Sequence, residues 1–250
     1  MSVSETAPEV VFLDVGDTLI RPEPSWAAVY LAGLRAHGLE VSAEDVTAAL
    51  AANGAEYEAD LGPFEASEAA SFARIKAIDA PIMARLGHTD VPDALYESIG
   101  KAFFQAEAWH IFPDVLPALE SLRSAGLRLA VISNWLWNGP ELLEKLGLAS
   151  WFEAIVMSAR VGYQKPHPQI FERALELMEV RPERAVHVGD SYRADVTGAH
   201  GVGIRPVLLD RGGTGSEDAA NAGPVSDLAV IGDLGGLLPV LEAQLATAGP

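Results

Sequence analysis

The chain has 250 residues and carries 35 acidic against 17 basic side chains, which gives a formal net charge of −18 at pH 7. Hydrophobic residues make up 49% and charged residues 21%, values that are ordinary for a globular protein and exclude disorder as the main state. The acidity excludes nucleic acids and anionic membranes as partners, because both are bound through clusters of Lys and Arg.

The absence of cysteine excludes disulfides, thiolate metal sites and a cysteine nucleophile. The first residues lack the basic stretch and apolar run of a secretory signal. No segment approaches the ~18–20 consecutive apolar residues of a membrane span. We therefore expect a cytoplasmic protein. We expect it to be a monomer or a homodimer, which these features do not distinguish.

The first predicted element is a short, buried strand over residues 9–13 that ends abruptly at Asp14. From about residue 21 to residue 109, apolar side chains repeat at helical spacing, which predicts four or five helices and no strand. A capping box at residues 42–45 opens one of these helices. Pro81 is expected to bend another.

Beyond residue 110, runs rich in Val and Ile alternate with helical patterns. The predicted elements are the strand 127–132, the helix 140–146, the strand 154–157, the helix 168–178, the strand 185–188, the helix 194–200, the strand 206–209 and a closing helix 234–245. This alternation predicts an α/β fold, a Rossmann-like parallel sheet covered on both faces. Residues 1–20 and 110–250 form the predicted core, residues 21–109 the inserted all-helical cap, and Gly212–Ser216 a loop.

Four polar clusters follow predicted strands, at the edge of a parallel sheet where ligands bind. They are Asp14-Val15-Gly16-Asp17-Thr18, Ser133-Asn134, Gln164-Lys165-Pro166-His167, and Gly189-Asp190-Ser191 with Asp195. Converging Asp14, Asp190 and Asp195 would repel one another unless they share a cation. Oxygen ligands without Cys or clustered His suit Mg²⁺. Mg²⁺ beside Lys165 and hydroxyl or amide donors makes a phosphate site, in which a carboxylate can act as nucleophile.

In this order and spacing, the four clusters resemble the four motifs of the haloacid dehalogenase-like (HAD) hydrolases, over nearly the whole chain. The long first gap resembles the subfamily with a helical C1 cap inserted after the first strand. The resemblance implies that Asp14 is the nucleophile and forms an aspartyl-phosphate. Ser133 would hydrogen-bond the phosphoryl group, with Asn134 beside it in the substrate site. Lys165 would offset the charge of nucleophile and phosphate.

The same resemblance implies a Mg²⁺ cofactor and a set of ligands for it. Asp14, Asp190 and the backbone carbonyl of Gly16 would bind the metal. Asp195 would hold the metal's waters or neighbouring groups, and Thr18 would orient the first loop. A small phosphorylated metabolite is the expected substrate.

One position departs from the family pattern. Phosphatases of this family usually carry Asp-x-Asp-x-Thr, and the second Asp serves as general acid and base. Gly16 stands in that place, with the acidic Asp17 one residue further on. The loss of such a group typically costs roughly 10²–10⁴-fold in rate. Asp17 and His167 are the candidates to replace it; without a replacement, we expect slow turnover or substrates with good leaving groups.

Three hypotheses remain at this stage, and the favoured one is a Mg²⁺-dependent phosphatase. The second is a carbon–phosphorus or carbon–halogen hydrolase of the same superfamily. The carbon–phosphorus enzymes need a cap lysine for a Schiff base, for which Lys76 and Lys101 are available. The third is a catalytically weak binding protein on the same fold. Trp135 and Trp137 are interpreted as packing residues and left out of the predicted site.

Overall fold

In the computed structural model of the chain, the described residues are 7–59, 62–212, 225 and 227–247. The strands and helices are, in chain order, β1 (Val10–Leu13), β2 (Ile20–Pro22), α1 (Trp26–Ala36), α2 (Ala43–Ala59), α3 (Glu68–Arg85), α4 (Asp93–Phe103), β3 (Trp109–Ile111), α5 (Val115–Ser124), β4 (Arg128–Ser133), α6 (Gly139–Lys145), β5 (Ala154–Met157), α7 (Ser158–Val161), α8 (Pro168–Leu177), β6 (Ala185–Gly189), α9 (Gly198–Gly201), β7 (Arg205–Leu209), β8 (Ala229–Ile231) and α10 (Leu237–Thr247). Of the predicted loop Gly212–Ser216, only the first residue lies within the described ranges.

Six strands form one sheet in the order β5-β4-β1-β6-β7-β8, and every neighbouring pair is parallel. Strand β1 lies at the centre, with Leu13 in register with Val131 of β4 and Val188 of β6. The predicted α/β class with a Rossmann-like parallel sheet is confirmed. The predicted strands lie within one residue of the observed ones, whereas β8 and α5 had not been assigned.

Helices cover both faces of the sheet, because successive side chains of a strand point to opposite sides. Val11 and Leu13 of β1 pack in one core cluster with α5, α6 and α10. Val10 and Phe12 pack in a second cluster with α8 and α9. A strand buried on both faces is apolar at every position, which is the pattern that identified β1 in the sequence.

The cap consists of α1 to α4 and has an apolar cluster of its own, which includes Leu34, Ile82, Leu95 and Ile99. Ser42 begins α2 as predicted, because its hydroxyl accepts a hydrogen bond from the Asp45 amide at 3.0 Å. Helix α3 continues through Pro81 to Arg85.

Among the described residues, none of the helices combines the length and the apolar character that crossing a bilayer requires.

A two-stranded antiparallel ribbon connects the sheet to the cap. Strand β2 pairs with β3, so that Ile20 lies opposite Ile111 and Pro22 opposite Trp109. The prediction that residues 21–109 contain no strand was therefore wrong at both ends of that range. Three-residue strands are too short to show a periodic pattern, and their pairing joins residues far apart in the chain.

The predicted helix 194–200 has two parts in the structure. Tyr192–Thr197 forms a single wide turn of π-helix, and α9 follows it directly. Such turns occur often at functional sites, because they change the direction of the side chains that they carry.

Candidate active site

The first catalytic candidate, Asp14, lies at the carboxyl edge of the sheet, directly after the central strand. Its amide donates to the carbonyl of Val188 in β6 at 2.9 Å, which continues the sheet pairing by one residue. Ser133 ends the neighbouring strand β4, and its hydroxyl acts to lower the pKa of the Asp14 carboxyl group. Both side chains are buried. The sheet thus brings these two predicted site residues together, as expected for neighbouring parallel strands.

Lys165 links two carboxylates at the centre of the site. Its Nζ lies 2.6 Å from Oδ1 of Asp14 and 2.5 Å from Oδ1 of Asp195, and all three side chains are buried. Asn134 fixes the backbone of this lysine: its Nδ2 donates to the Lys165 carbonyl at 3.0 Å, and its Oδ1 accepts from the Lys165 amide at 2.7 Å. The side-chain amide group of Asn134 therefore positions the backbone of Lys165.

Asp195 comes from the π-helical turn, and its place depends on the glycine six residues before it. A Cβ atom at Gly189 would lie 2.1 Å from Cγ of Asp195, so only glycine leaves room for the carboxylate. The Ser191 amide donates to Oδ2 of Asp195 at 3.1 Å. This close approach gives a physical reason for the Gly-Asp-x₄-Asp pattern in the sequence.

His187 belongs to the same cluster and was missed by the sequence analysis. Its Nε2 lies 2.8 Å from Oδ1 of Asp195, and its ring packs edge-on against Phe171 with 5.4 Å between the ring centroids. The side chain is completely buried in β6. A polar residue in an otherwise apolar buried strand was the one signal that could have indicated it.

The charges of this cluster shift one another's pKa values. Burial acts to raise the pKa of Asp195, but the Lys165 ammonium and the hydrogen bond with His187 outweigh it and hold that pKa well below its usual range. Burial acts to lower the pKa of Lys165, but the two carboxylates outweigh it and raise that pKa. Lys165 and Asp195 therefore form a charged pair over the whole working range of pH.

Asp14 and Asp190 are shifted in the opposite direction. Burial raises the pKa of Asp14, with a further contribution from Asp195 that opposes Lys165. Burial, together with Asp14 and Asp195, raises the pKa of Asp190 well above its usual value. Thr18 donates a long hydrogen bond, 3.4 Å, to Oδ1 of Asp190. The site thus holds more negative charge than Lys165 alone offsets.

This donor set fits a divalent cation. Carboxylate oxygens of Asp14, Asp190 and Asp195 lie within 4.8 Å of one another. Oxygen ligands favour Mg²⁺ over transition metals. A cation shared by the carboxylates would relieve the repulsion that raises the pKa values of Asp14 and Asp190.

Gly16 and Asp17 lie where this chain departs from the family pattern. A Cβ atom at Gly16 would lie 3.3 Å from the Trp135 ring, a tight contact. Asp17 has a left-handed backbone with a φ of 51°, and its carboxylate accepts from Nε1 of Trp26 in the cap at 3.4 Å. Burial raises the pKa of Asp17. The Asp17 carboxylate is thus engaged with the first residue of α1.

His167, the other candidate for proton transfer, begins a helix. Its Nδ1 accepts from the Gln169 amide at 3.2 Å, which caps the N-terminus of α8. Its ring stacks on Tyr163 with 4.3 Å between the ring centroids. The described contacts of His167 are therefore those of a helix cap.

The loop after β1, which follows the candidate nucleophile Asp14, is fixed by an ion pair that the sequence did not reveal. Arg211 donates to both carboxylate oxygens of Asp114 at 3.0 Å and to the carbonyl of Thr18 at 2.8 Å. Asp114 also accepts from the amide of Leu234 at 2.8 Å. Residues distant in the chain meet here, and no local pattern in the sequence marks such a contact.

The loop after β4 contacts the cap. The Trp137 amide donates to Oγ of Ser71 in α3 at 3.2 Å. The rings of Trp135 and Trp109 are in contact, with 5.1 Å between the ring centroids. The two tryptophans that the sequence analysis assigned to packing thus lie at the boundary between core and cap.

Known proteins resemble the chain along most of its length. The sequence profile of the haloacid dehalogenase-like hydrolases matches residues 8–203. The chain is 32% identical over 235 residues to haloacid dehalogenase-like hydrolase domain-containing protein 3 of Bos taurus, covering 92% of each chain. It is 37% identical over 134 residues to glyceraldehyde 3-phosphate phosphatase of Methanothermobacter thermautotrophicus, covering 52% of this chain and 58% of that one. A magnesium-bound HAD hydrolase structure from Bacillus subtilis shares the fold, with a TM-score of 0.75, 16% identity, and coverage of 94% and 99%.

Proposed function

The chain belongs to the haloacid dehalogenase-like hydrolase family, and on that premise we propose that it is a Mg²⁺-dependent phosphatase of small phosphorylated metabolites. The observation that carries the proposal is the buried cluster in which Lys165 bridges Asp14 and Asp195, beside Asp190. A relative 37% identical over half of the chain bears the name of a phosphatase, which supports the same reaction class.

Asp14 is the proposed nucleophile. One of its carboxylate oxygens attacks the phosphorus atom, and the bond from phosphorus to the leaving oxygen breaks, so that an aspartyl-phosphate forms. Water then attacks the same phosphorus atom, inorganic phosphate leaves, and Asp14 returns to its free form. The Lys165 ammonium offsets the negative charge of Asp14 and of the phosphoryl oxygens, and the Ser133 hydroxyl donates to one of those oxygens.

The metal is assigned to Asp14, Asp190 and the carbonyl of Gly16. When bound, Mg²⁺ supplies positive charge that draws the phosphate oxygens to an otherwise acidic pocket. Asp195 holds Lys165 in place through a hydrogen bond at 2.5 Å, and His187 in turn orients Asp195. Thr18 orients the first loop through its contact with Asp190.

Gly16 directs the proposal toward substrates with good leaving groups. No carboxylate stands at the position that usually protonates the leaving oxygen, and the carboxylate of the next residue, Asp17, accepts from Trp26. The leaving group of an acyl or aryl phosphate depends less on such a proton, because a carboxylate or phenolate is a much weaker base than an alkoxide.

Two alternatives are less well supported by the described contacts. A carbon–phosphorus hydrolase needs an amine in the cap, but Lys76 forms an ion pair with Asp93 at 2.5 Å, and the Lys101 side chain is 76% exposed. Carbon–halogen cleavage in this superfamily needs no metal, so it would not need the grouping of Asp14, Asp190 and Asp195 as a metal site.

The test is hydrolysis of p-nitrophenyl phosphate by the purified chain, with Mg²⁺ and with EDTA. We expect Mg²⁺-dependent hydrolysis that falls about 10⁴-fold or more in Asp14→Asn, which removes the nucleophile at nearly constant shape. Circular dichroism of the variant checks that it is folded. Equal rates in the variant and the parent, under every divalent metal tried, would favour a binding protein on the same fold.

The metal assignment is tested separately by calorimetric titration with inorganic phosphate. We expect binding with Mg²⁺ and none in EDTA, because the carboxylates at the site repel the anion. Asp190→Asn should weaken the effect of Mg²⁺. Phosphate binding that is equally strong in EDTA would contradict the assignment.

A further inference from the structure

A cavity of about 180 Å³ lies between the cap and the loop that follows β4. Five aromatic side chains line much of it: Trp26, Tyr30, Phe103, Trp109 and Trp135. Two of them also contact the catalytic loop, since Trp135 lies against Gly16 and Trp26 donates to Asp17. The cavity therefore adjoins the loop that directly follows the proposed nucleophile Asp14.

A carboxylate, Asp79, belongs to the wall of this apolar cavity. It lies on α3 and is only 3% exposed. The hydroxyl of Tyr30 donates to its Oδ1 at 2.7 Å. In the part of the chain that the structure describes, Tyr30 is its one hydrogen-bond partner and no cation pairs with it. Burial raises the pKa of Asp79 to about 6, so the group is ionised at neutral pH without a counter-charge.

The other charged residue of the wall is already engaged. The Arg74 guanidinium donates to Oε1 of Gln164 at 2.6 Å and lies over the Phe64 ring, 4.3 Å from its centroid. Asp79 is thus the charged group in the cavity wall that a bound cation would stabilise.

We propose that this cavity binds the leaving group of the substrate, and that Asp79 accepts a hydrogen bond from a protonated amine on that group. The proposal rests on the proposed phosphatase function. A cavity of roughly 150 Å³ lined by apolar side chains can hold benzene, so the size fits a leaving group of about one ring. Aromatic faces attract an organic cation, and the buried carboxylate supplies its counter-charge.

Three aryl phosphates with good leaving groups test this proposal. They are phenyl phosphate, 4-(hydroxymethyl)phenyl phosphate and 4-(aminomethyl)phenyl phosphate. We expect kcat/KM to be about 10-fold higher for the amine than for the alcohol, because a charged donor binds a buried carboxylate more strongly than a neutral one. In Asp79→Asn, which keeps the shape and removes the charge, the ratio should fall to about one.

The matched control is Asp93→Asn, since Asp93 is an exposed cap aspartate in a surface ion pair with Lys76. The ratio of amine to alcohol should stay as in the parent chain. If Asp79→Asn lowers all three substrates equally and keeps the ratio, Asp79 has a purely structural role and the proposal is wrong. An alcohol that is hydrolysed as well as the amine by the parent chain would also overturn it.

Binding of benzylamine and benzyl alcohol, followed by quenching of tryptophan fluorescence, separates this proposal from the phosphatase proposal. We expect the amine to bind more tightly than the alcohol, and Asp79→Asn to abolish the difference. If no aryl phosphate is hydrolysed but the amine binds selectively, the phosphatase proposal fails while the cavity assignment stands. If the phosphates are hydrolysed without any preference for the amine, the cavity assignment fails alone.

Discussion

Two buried aspartates, one in the core and one in the cap, have opposite surroundings. Asp195 lies at the edge of the sheet and contacts both the Lys165 ammonium and the His187 ring, and its pKa lies well below the usual range. Asp79 lies in the cap with only the Tyr30 hydroxyl as a described hydrogen-bond partner, and burial raises its pKa to about 6. Lys165 neutralises the first, whereas among the described residues no cation neutralises the second, which lines the cavity.

The difference indicates two kinds of preparation for binding. In the core, the chain supplies the positive charge and fixes it through Asn134 before any substrate arrives. In the cap, the buried charge of Asp79 lowers the stability of the folded chain, and a bound cationic group would offset this loss. We therefore expect the core site to carry the chemistry common to the family, and the cap cavity to carry the selectivity for a particular substrate.

The largest expected effect comes from removing the charge that neutralises the core. Lys165→Met leaves the buried carboxylates of Asp14 and Asp195 without their cation, and we expect it to lower the free energy of unfolding by about 3–5 kcal/mol in EDTA. Urea unfolding measures this change. The control Lys76→Met breaks a pair with side chains 36% and 63% exposed and should cost less than about 1 kcal/mol. Equal losses in the two variants would show that Lys165 does not compensate the core carboxylates.

The second prediction concerns the group that the core site lacks. We expect Gly16→Asp to raise kcat for an alkyl phosphate by about 10²-fold or more, since it restores a general acid for a poor leaving group. Gly16→Ala is the control, because its Cβ makes the same 3.3 Å contact with Trp135 without adding a carboxyl group. A fall in kcat in both variants would mean that the contact with Trp135, and not the missing acid, governs this position.

The third prediction concerns the stability of the cap carboxylate. Because the pKa of Asp79 rises from 3.8 to about 6 on folding, the folded state gains protons there and loses stability as pH rises from about 4 to about 6, at most about 3 kcal/mol. Asp79→Asn should therefore be more stable than the parent chain at pH 8, and the advantage should disappear near pH 4. Urea unfolding at both values measures it, and an advantage independent of pH would contradict the assignment of a buried charge.

Some of these features were predictable from the sequence because their cause is local. The runs that became β1, β4, β5, β6 and β7 are mostly apolar at successive positions, as is typical of strands buried on both faces, and His187 is the polar exception within β6. Three of the four polar clusters followed directly after such runs and the fourth after a short link, and the parallel arrangement brings strand ends to one edge. Asp14, Ser133, Lys165, Asp190 and Asp195 were named for this reason. The contacts of Asp195 with Gly189 and Lys165 agree with that expectation.

Other features could not be predicted, because they depend on residues that meet only in the folded chain. Strands β2 and β3 are three residues each and exist through a pairing between distant parts of the chain. The same holds for the ion pair between Arg211 and Asp114 behind the catalytic loop. The two hydrogen bonds between the Asn134 side-chain amide and the backbone of Lys165 are a further example; the predicted place of Asn134 beside the phosphoryl group stays a prediction.

The acidic sequence by itself indicated the family and the parallel sheet, and it placed the carboxylates proposed as catalytic directly after predicted strands, since strand patterns and motif spacing are local properties of the chain. Only the tertiary structure decided which of the acidic side chains are neutralised. Asp195 and Asp79 are the same residue type, and both are buried. Whether a lysine or only a tyrosine hydroxyl lies within reach depends on how helices and strands pack, and charge interactions in a medium of low polarity depend on that distance.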